Sequence, residues 1–293
     1  PDMKIVHFRI NGESGVRFGA ITPDGAVIDG TDLLEMPDHD RFDLGVRDRF
    51  DVSRSVLAKL RERVHTSNID RTPITDCELM SPVPVPGKVI CIGLNYADHA
   101  AESGMEPPAS PLAFSKFSCN VIGPGGVVPM PLGTSETDYE AELAVVIGRR
   151  AWRVAECDAM EHVLGYACAN DLSARAFQFA DGQWQRGKSC EGFCPLGPYI
   201  ATKDEIPDPH QLRIRLRLNG ELVQDSSTNQ LIFRIHALIA HLSSFVALDP
   251  GDIILTGTPP GVGFARTPPI HLKAGDRMEV EIDGLGILEN TMN

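Results

Sequence analysis

The sequence is short of aromatic and basic residues, and each shortage excludes a class of protein. Aromatic residues make up only 6% of the 293 residues. Lys and Arg number 27 against 40 Asp and Glu, which gives a formal net charge of −13 at pH 7. A chain without a basic field binds poorly to nucleic acid and to anionic membrane surfaces. We therefore expect no nucleic-acid partner and no membrane partner.

Long apolar runs and cysteine motifs are also missing. No run of about 18 apolar residues occurs, and the first residues do not have the pattern of a secretory signal. The seven cysteines are odd in number and form no Cys-x-x-Cys pair, which favours reduced thiols that fill the core. These features predict a cytoplasmic location. The 42% hydrophobic and 23% charged residues that are present are ordinary for a globular protein.

The order of predicted elements indicates a β-rich α+β fold in two parts. Strands alternate with a few short helices and many Gly and Pro turns, which does not fit a doubly wound sheet. Residues 1–75 are predicted to form a small N-terminal α/β appendage with a hairpin and one amphipathic helix. Alternating prolines predict an extended linker at residues 76–87. Residues 88–293 are then predicted to form the larger domain.

The segment 138–148 is typical of a strand that carries two carboxylates on one face. Residues two apart point to the same side of a strand, so Glu140 and Glu142 project together. Their face continues through Ala144 and Val146, which suggests an apolar interior. Buried, unpaired carboxylates are costly, and a hard cation with oxygen ligands is the usual remedy. An edge strand with both glutamates in water explains the spacing as well, so the pattern leaves both alternatives open.

Other polar residues are candidates for chemistry, each with a simpler alternative. His99 and Glu102 are three apart on a short helix, as in a general-base pair or a solvated surface pair. Asp171 lies between a strand and a helix, so it is either an N-cap or a third carboxylate for a metal ion. Lys188 is a lone cation in a Gly-rich loop, where it would balance a negatively charged site.

Residues 182–189 match the P-loop pattern G-x-x-x-x-G-K-S, but their surroundings argue against nucleotide binding. A P-loop follows an apolar strand and opens a helix. Here the preceding residues are predicted to be helix and polar loop. Gly192 and Pro195 break the segment that follows. We therefore assign no phosphate site to this motif.

Several weak motifs become specific because they occur together and in order. They are Gly93-Leu94-Asn95-Tyr96-x-x-His99-x-x-Glu102, Asp138-Tyr139-Glu140-x-Glu142-Leu143-x-x-Val146-Ile147-Gly148, Asn170-Asp171-x-Ser173-x-Arg175, Gly187-Lys188-Ser189 and Gly257-Thr258-Pro259-x-Gly261-Val262-Gly263. Together they resemble the fumarylacetoacetate hydrolase superfamily over residues 82–293. Residues 193–198 and 219–224 further resemble its branch with fumarylacetoacetate hydrolase domain-containing protein 2 and bacterial 2,4-diketo-3-deoxy-sugar-acid hydrolases.

The resemblance implies a mixed β-sandwich roll that binds Mg²⁺ or Mn²⁺, usually as a homodimer. By motif position, the implied metal ligands are Glu140, Glu142 and Asp171. The implied catalytic residues are His99 and Glu102, a water-activating pair carried on a lid, and Lys188. The implied substrate-binding residues are Gln178, Thr258, Gly257 and Arg175.

A site of this kind predicts chemistry on small 2-oxo acids. We expect a metal-dependent hydrolase that cleaves the C–C bond of 2,4-dioxo acids of the acylpyruvate type. The metal stabilises the enolate, and His99 with Glu102 activates the attacking water. Oxaloacetate decarboxylation or tautomerisation at the same metal is the alternative, and 2-hydroxyhepta-2,4-diene-1,7-dioate isomerase-type activity is a further one. Residues 105–108, after Glu102, are expected to shape the distal part of the pocket.

Overall fold

Strands dominate the computed structural model, which describes residues 3–34, 54–66, 69–102, 104 and 106–293. The strands are β1 (Lys4–Ile10), β2 (Arg17–Ile21), β3 (Ala26–Asp29), β4 (Thr72–Pro73), β5 (Cys77–Leu79), β6 (Val89–Gly93), β7 (Leu112–Lys116), β8 (Val121–Ile122), β9 (Val127–Val128), β10 (Thr137–Asp138), β11 (Ala141–Ile147), β12 (Val163–Asn170), β13 (Ser173–Ala174), β14 (Cys194–Thr202), β15 (Arg213–Leu218), β16 (Glu221–Ser227), β17 (Ile253–Leu255), β18 (Arg277–Ile282) and β19 (Gly286–Met292). The α-helices are α1 (Arg54–His65), α2 (Ala97–Glu102), α3 (Arg175–Phe179), α4 (Gln185–Lys188) and α5 (Ile235–Ser243). Short 3-10 turns lie at Thr31–Leu33, Ile74–Asp76, Ser118–Asn120, Glu156–His162, Thr228–Gln230 and Gly263–Ala265.

Two mixed sheets form the body of the molecule. The large sheet runs in the order β4-β3-β2-β1-β14-β12-β11-β17-β6-β7, with β5 paired to β1 and β8 to β14. Most neighbours are antiparallel, whereas β17 and β6 run parallel. The second sheet has the order β16-β15-β18-β19-β9, and β10 pairs separately with β13. This architecture confirms the predicted β-rich α+β fold.

β11 is an interior strand whose two faces enter two different cores. Hydrogen bonds pair it with β12 on one side and β17 on the other, and all its residues are buried. Leu143 and Val145 join the core between the two sheets. Ala144 and Val146 join a second core, which also receives residues of the N-terminal strands and α1. The alternative of a solvated edge strand is therefore wrong for this segment.

The second sheet covers the first through strict alternation of its side chains. Ile214, Leu216 and Leu218 of β15 are buried and join the core between the sheets. Their neighbours on the strand point to the opposite side, because the side-chain period of a strand is two. The Asn219–Gly220 pair closes the β15–β16 hairpin with positive φ angles of 52° and 85°.

The N-terminal strands extend the large sheet. β1 pairs with β14 through Lys4 opposite Ala201 and Ile5 opposite Ile200. α1 packs its buried face into the second core, which stabilises this end of the sheet. The division of the chain at residues 75 and 88 stays a prediction, and residues 1–2, 35–53, 67 and 68 of the proposed appendage lie outside the described residues.

The helix within the P-loop-like motif is short. Residues 185–188 of the P-loop-like motif form the single turn α4, and no helix follows directly after it, so the structure agrees with rejecting a phosphate-binding loop. Within the described part of the chain, no helix is long and apolar enough to cross a membrane.

Candidate active site

Three carboxylates meet where β11 and β12 run side by side. Glu140 directly precedes β11, Glu142 is its second residue, and Asp171 directly follows β12. The register places Ala141 opposite Asn170, and the Asp171 N–H donates to the Glu140 carbonyl at 2.8 Å. One oxygen of each carboxylate lies within 4.8 Å of those of the other two, and all three residues are buried. Antiparallel pairing therefore assembles a cluster from distant parts of the chain.

Two cations neutralise Glu140. Lys188 Nζ donates to Glu140 Oε2 at 2.8 Å, and Arg175 Nη2 donates to Oε1 at 2.6 Å. Burial by itself raises the pKa of Glu140, but Lys188 and Arg175 outweigh burial and lower this pKa to about 2. Lys188 also donates to Asp171 Oδ2 at 2.8 Å. Burial lowers the pKa of Lys188, yet Asp171 and Glu140 outweigh burial and raise it, so the ammonium is charged at neutral pH.

Glu142, by contrast, forms no ion pair with any described residue. Its Oε2 accepts a hydrogen bond from the Gly257 N–H at 2.8 Å. Burial, together with the negative charges of Asp171 and Glu140, raises the pKa of Glu142 well above its usual range. A buried carboxylate without a compensating charge is costly. The cluster is therefore short of positive charge at this residue.

Asp138 holds Arg175 against the cluster. Arg175 Nε and Nη2 donate to Asp138 Oδ2 at 2.9 and 2.7 Å, and Nη1 donates to Gln178 Oε1 at 2.9 Å. Asp138 also accepts hydrogen bonds from the N–H groups of Gly263 and Phe264 at 2.7 and 3.0 Å. These contacts occupy both oxygens of Asp138, so it supports the cluster from behind.

Lys116 is a second buried lysine at the cluster, and sequence reasoning missed it. Its Nζ lies 2.6 Å from Asp171 Oδ1 and donates to the carbonyls of Leu172 and Lys188 at 2.8 and 2.5 Å. Its side chain is 0% exposed. The sequence signal that could have found it is a lysine at the end of the largely apolar strand β7. If such a lysine is buried, it needs a charged partner, because lysines are almost never fully buried without one.

A glycine-rich turn after β17 closes the cluster from the other side. Gly257 has φ +105°, and a Cβ at this position would lie 2.9 Å from the Asn95 Cβ, so the turn requires glycine. Thr258 Oγ1 accepts a hydrogen bond from Gln224 Nε2 at 2.9 Å. Gln224 Oε1 in turn accepts from the Ala141 N–H at 2.9 Å. Gln224, which the sequence presents only as part of a motif, ties this turn to β11.

α2 places His99 and Glu102 over the same cavity. His99 Nδ1 lies 3.2 Å from Glu102 Oε2. The Glu102 carboxylate also accepts from the Gly261 N–H, with both oxygens at 3.2 Å. Asn95, just before the helix, bonds the N–H and the carbonyl of Phe233 at 2.8 and 3.0 Å. Both ends of α2 are thereby anchored to neighbouring loops.

One cavity of about 520 Å³ collects most of the predicted site residues. The predicted residues that line it are His99, Glu102, Glu140, Glu142, Arg175, Gln178, Lys188 and Thr258. Asp171 and Gly257 are not part of this lining. Asp171 is hydrogen-bonded to the lining residue Lys188, and Gly257 to the lining residue Glu142. Met105 lies outside the described residues, and residues 106–108 are not among the lining residues, so the expectation for the distal pocket is not met there.

The donor set of the cluster fits a hard divalent cation. All three candidate ligands are carboxylates, the ligand type that such ions prefer. The missing positive charge at Glu142 is the charge that an ion would provide. The fold and the cavity therefore define a class of protein: a β-rich enzyme with a carboxylate cluster suited to a divalent cation.

Comparison with known proteins identifies the family. The fumarylacetoacetate (FAA) hydrolase C-terminal profile matches residues 88–293. A Xenopus laevis protein named "Oxaloacetate tautomerase fahd2, mitochondrial" is 42% identical over 291 residues, which cover 98% of this chain and 89% of that protein. The chain belongs to the fumarylacetoacetate hydrolase family and is an enzyme, which confirms the resemblance drawn from its motifs.

Solved structures agree with this assignment. A putative HpcE protein from Mycobacterium smegmatis has a TM-score of 0.81 at 37% identity, with 98% of each chain covered. Maleylpyruvate hydrolase from Sphingobium has a TM-score of 0.78 at 31% identity, with 99% of each chain covered. The described part of the chain therefore has the fold of this family.

The expectation of a cytoplasmic location is wrong. The Xenopus relative is named as mitochondrial, and so are further relatives at 40–48% identity. The composition and the cysteine content of a folded domain do not encode an organelle, because targeting is read from dedicated segments. The inference from reduced cysteines therefore could not distinguish these two compartments.

Proposed function

We propose that the chain is an oxaloacetate tautomerase, which interconverts the enol and keto forms of oxaloacetate. The main structural support for the proposal is that the carboxylate cluster and the His99–Glu102 pair lie at one cavity. The supporting comparison is the 42% identity to a protein named oxaloacetate tautomerase. The alternative that the sequence predicts, oxaloacetate decarboxylation or tautomerisation, includes this activity and has more support than acylpyruvate hydrolysis, which stays a prediction.

Mg²⁺ or Mn²⁺ is the cation that we propose for the cluster. Glu140, Glu142 and Asp171 would hold it, since all three offer oxygen atoms to one small volume. When bound, such an ion acts as a Lewis acid that polarises a substrate oxygen. Lys188 adds a fixed positive charge beside the same carboxylates. This lysine charge favours negative charge at the C2 oxygen of a 2-oxo acid bound beside it.

We assign the proton transfer to His99. Conversion of the enol to the ketone breaks the O2–H bond and forms a C3–H bond, with no net change of oxidation state. His99 lines the cavity, and its Nδ1 faces Glu102, so Nε2 is the nitrogen available for exchange at C3. Glu102 orients the ring, while the Gly261 N–H holds Glu102 in place.

Hydrogen-bonding groups along the cavity are assigned to substrate oxygens. The oxygen of the Gln178 side chain accepts from Arg175, which leaves its amide nitrogen to donate to the substrate. Thr258 lies at the glycine-rich turn, where Gly257 allows the backbone to approach closely. We propose that this turn and Gln178 bind the carboxylate and the C2 oxygen.

The test follows the ultraviolet absorbance of enol-oxaloacetate as it relaxes to the ketone, with Mg²⁺ or Mn²⁺ present. The wild-type protein should accelerate this relaxation. His99→Asn should lower kcat by roughly 10²- to 10⁴-fold, the range typical of general acid–base catalysis. His65→Asn, which changes an exposed histidine on α1, is the matched control and should retain the wild-type rate.

The product separates tautomerisation from decarboxylation. Keto-oxaloacetate stays reducible by malate dehydrogenase, whereas decarboxylation yields pyruvate, which lactate dehydrogenase detects. Relaxation at the uncatalysed rate in the presence of protein and metal would contradict the proposal. A wild-type rate in His99→Asn would remove His99 from the mechanism.

Hydrolysis of 2,4-dioxo acids is a second candidate, favoured by the His99–Glu102 pair itself. A histidine held by a carboxylate over an open cavity can activate water as well as transfer a proton. The Sphingobium structure at TM-score 0.78 also carries the name of a hydrolase. Metal-dependent release of pyruvate from acetylpyruvate would support this candidate, and its absence would leave tautomerisation alone.

A further inference from the structure

Aromatic side chains are concentrated on the wall of the active-site cavity. Only 6% of the residues are aromatic, yet Phe114, Phe179, Trp184 and Phe264 all line this one space. They form two pairs. The rings of Phe114 and Trp184 meet edge-to-face at 5.2 Å, and those of Phe179 and Phe264 are tilted at 5.4 Å. Centroid distances in this range are those of favourable aromatic contacts.

Each pair adjoins a cation of the carboxylate cluster. Lys188 Nζ lies 5.0 Å from the ring centre of Phe114, and Arg175 Cζ lies 5.6 Å from that of Phe264. These are cation–π distances. The aromatic wall therefore lies directly beside the two cations that hold Glu140.

The backbone is shaped to admit the Trp184 ring. A Cβ at Gly93 would lie 2.8 Å from Trp184 Cζ3, so a glycine at the end of β6 is needed for the indole to lie across the strand. The rings of the other pair face solvent, since Phe179 is 52% and Phe264 is 47% exposed. Core packing therefore does not account for these two rings, and they are available to a ligand.

The cations beside the aromatic wall already have carboxylate partners. Among the described residues that line the cavity, the lysine and arginine side chains are Lys188 and Arg175. Arg175 is bound to Asp138 and Glu140, and Lys188 is bound to carboxylates of the cluster. The rings themselves offer apolar contact area, so an apolar distal group would exchange water for ring contacts there.

The size of the cavity also leaves room for a bulky apolar group. A space of about 520 Å³ lies in the range that holds drug-sized ligands. A four-carbon acid bound at the carboxylate cluster fills only part of it. The remaining space is the part bounded by the two aromatic pairs.

We infer that the cavity has an aromatic subsite and that the enzyme also tautomerises 2-oxo acids with an aryl group on C3, the arylpyruvates. This inference rests on the proposed function, because it uses the same proton shift: the enol O2–H bond breaks and a C3–H bond forms. No further reactant is required. The aryl ring lies between the pairs Phe114–Trp184 and Phe179–Phe264, and C1 and C2 remain at the carboxylate cluster.

The experiment compares two enols that differ only in the group on C3. Enol-oxaloacetate carries a carboxylate there, and enol-phenylpyruvate carries a phenyl ring. The measured quantity is the ratio of kcat/KM for phenylpyruvate to kcat/KM for oxaloacetate, with the metal present. Trp184→Leu and Phe264→Leu keep an apolar side chain but remove the ring. Phe245→Leu is the control, because Phe245 is 60% exposed and is not part of the cavity lining.

The wild type should accelerate relaxation of both enols. The ratio should fall roughly tenfold in Trp184→Leu and in Phe264→Leu, which corresponds to the loss of a good aromatic contact. It should be unchanged in Phe245→Leu. Acceleration with oxaloacetate but none with phenylpyruvate would overturn the aromatic subsite and leave the proposed function intact. Equal losses with both substrates would also overturn it, and failure with both in the wild type would refute the proposed function as well.

Discussion

Lys116 and Lys188 hold opposite oxygens of the same buried aspartate. Lys188 donates to Asp171 Oδ2 at 2.8 Å, and Lys116 lies 2.6 Å from Oδ1. The two lysines are also joined directly, because Lys116 donates to the Lys188 carbonyl at 2.5 Å. The hydrogen bond from Lys188 and the ion pair with Lys116 restrain the orientation of the Asp171 carboxylate toward the rest of the cluster. Lys116 therefore acts on the site by positioning Asp171.

Replacing Lys116 tests its contribution to stability. Lys116→Met keeps the length of the side chain but removes the charge, which leaves a buried carboxylate short of one partner. Breaking a buried ion pair from one side costs about 3–5 kcal/mol. We expect the free energy of unfolding, measured by urea denaturation in EDTA, to fall by about that amount.

Lys59→Met is the matched control for this measurement. Lys59 is exposed on α1, where the same substitution should change the unfolding free energy by no more than about 0.5 kcal/mol. Similar unfolding free energies for Lys116→Met and the wild type would show that the buried contacts of Lys116 contribute little.

At the scale of elements, β1 joins the N-terminal strands to the rest of the sheet. It pairs with β14 in the sheet, and its residue His7 also contacts the segment that leads to β6. His7 Nδ1 lies 2.9 Å from the Pro82 carbonyl in a buried position. Burial lowers the pKa of His7 to about 4, although the Pro82 carbonyl acts in the opposite direction. The folded state therefore holds this ring in its neutral form.

This lowered pKa predicts a loss of stability in acid. The unfolded chain takes up a proton on His7 near pH 6.5, whereas the folded chain does so only near pH 4, so stability falls as the pH drops through that range. Between pH 7 and pH 5, His7 should cost the wild type about 2 kcal/mol. Urea unfolding at the two pH values measures this change.

The variant to compare with the wild type in this pH experiment is His7→Asn. Its amide can still donate to the Pro82 carbonyl, but it does not titrate. Its unfolding free energy should depend less on pH, by about the same 2 kcal/mol. Equal pH dependence in both proteins would show that other groups cause the loss.

At the scale of the whole molecule, the two sheets enclose a site that needs positive charge in a protein of net charge −13. The cluster of Glu140, Glu142 and Asp171 is buried in the described structure, and the nearby cations serve two of its three carboxylates. A cation bound at this cluster would therefore stabilise the fold as well as support the proposed reaction. The homodimer implied by the family resemblance stays a prediction, which sedimentation or size-exclusion measurements can test.

Metal binding should therefore raise the thermal stability. A ligand at 100 times its Kd stabilises the native state by about 2.7 kcal/mol. Mg²⁺ or Mn²⁺ should raise Tm by several degrees, and EDTA should reverse the shift. Glu142→Gln should lose most of the shift, because it removes the carboxylate that lacks a cation.

Glu136→Gln is the control for the metal experiment, since Glu136 is an exposed glutamate in the segment before the cluster. It should keep the wild-type shift in Tm. A full shift in Glu142→Gln would remove Glu142 from the proposed ligands.

The local features of this protein can be predicted from its sequence alone. Alternation with a period of two assigned the faces of β11, and the order of motifs identified the family and the residues around the cavity. These features are local because they depend on backbone geometry and on spacing along the chain. Tertiary structure decided the rest. The burial of Lys116, the bridge made by Gln224 and the aromatic wall bring together residues that are far apart in sequence, and only the packing of the strands and loops places them in contact.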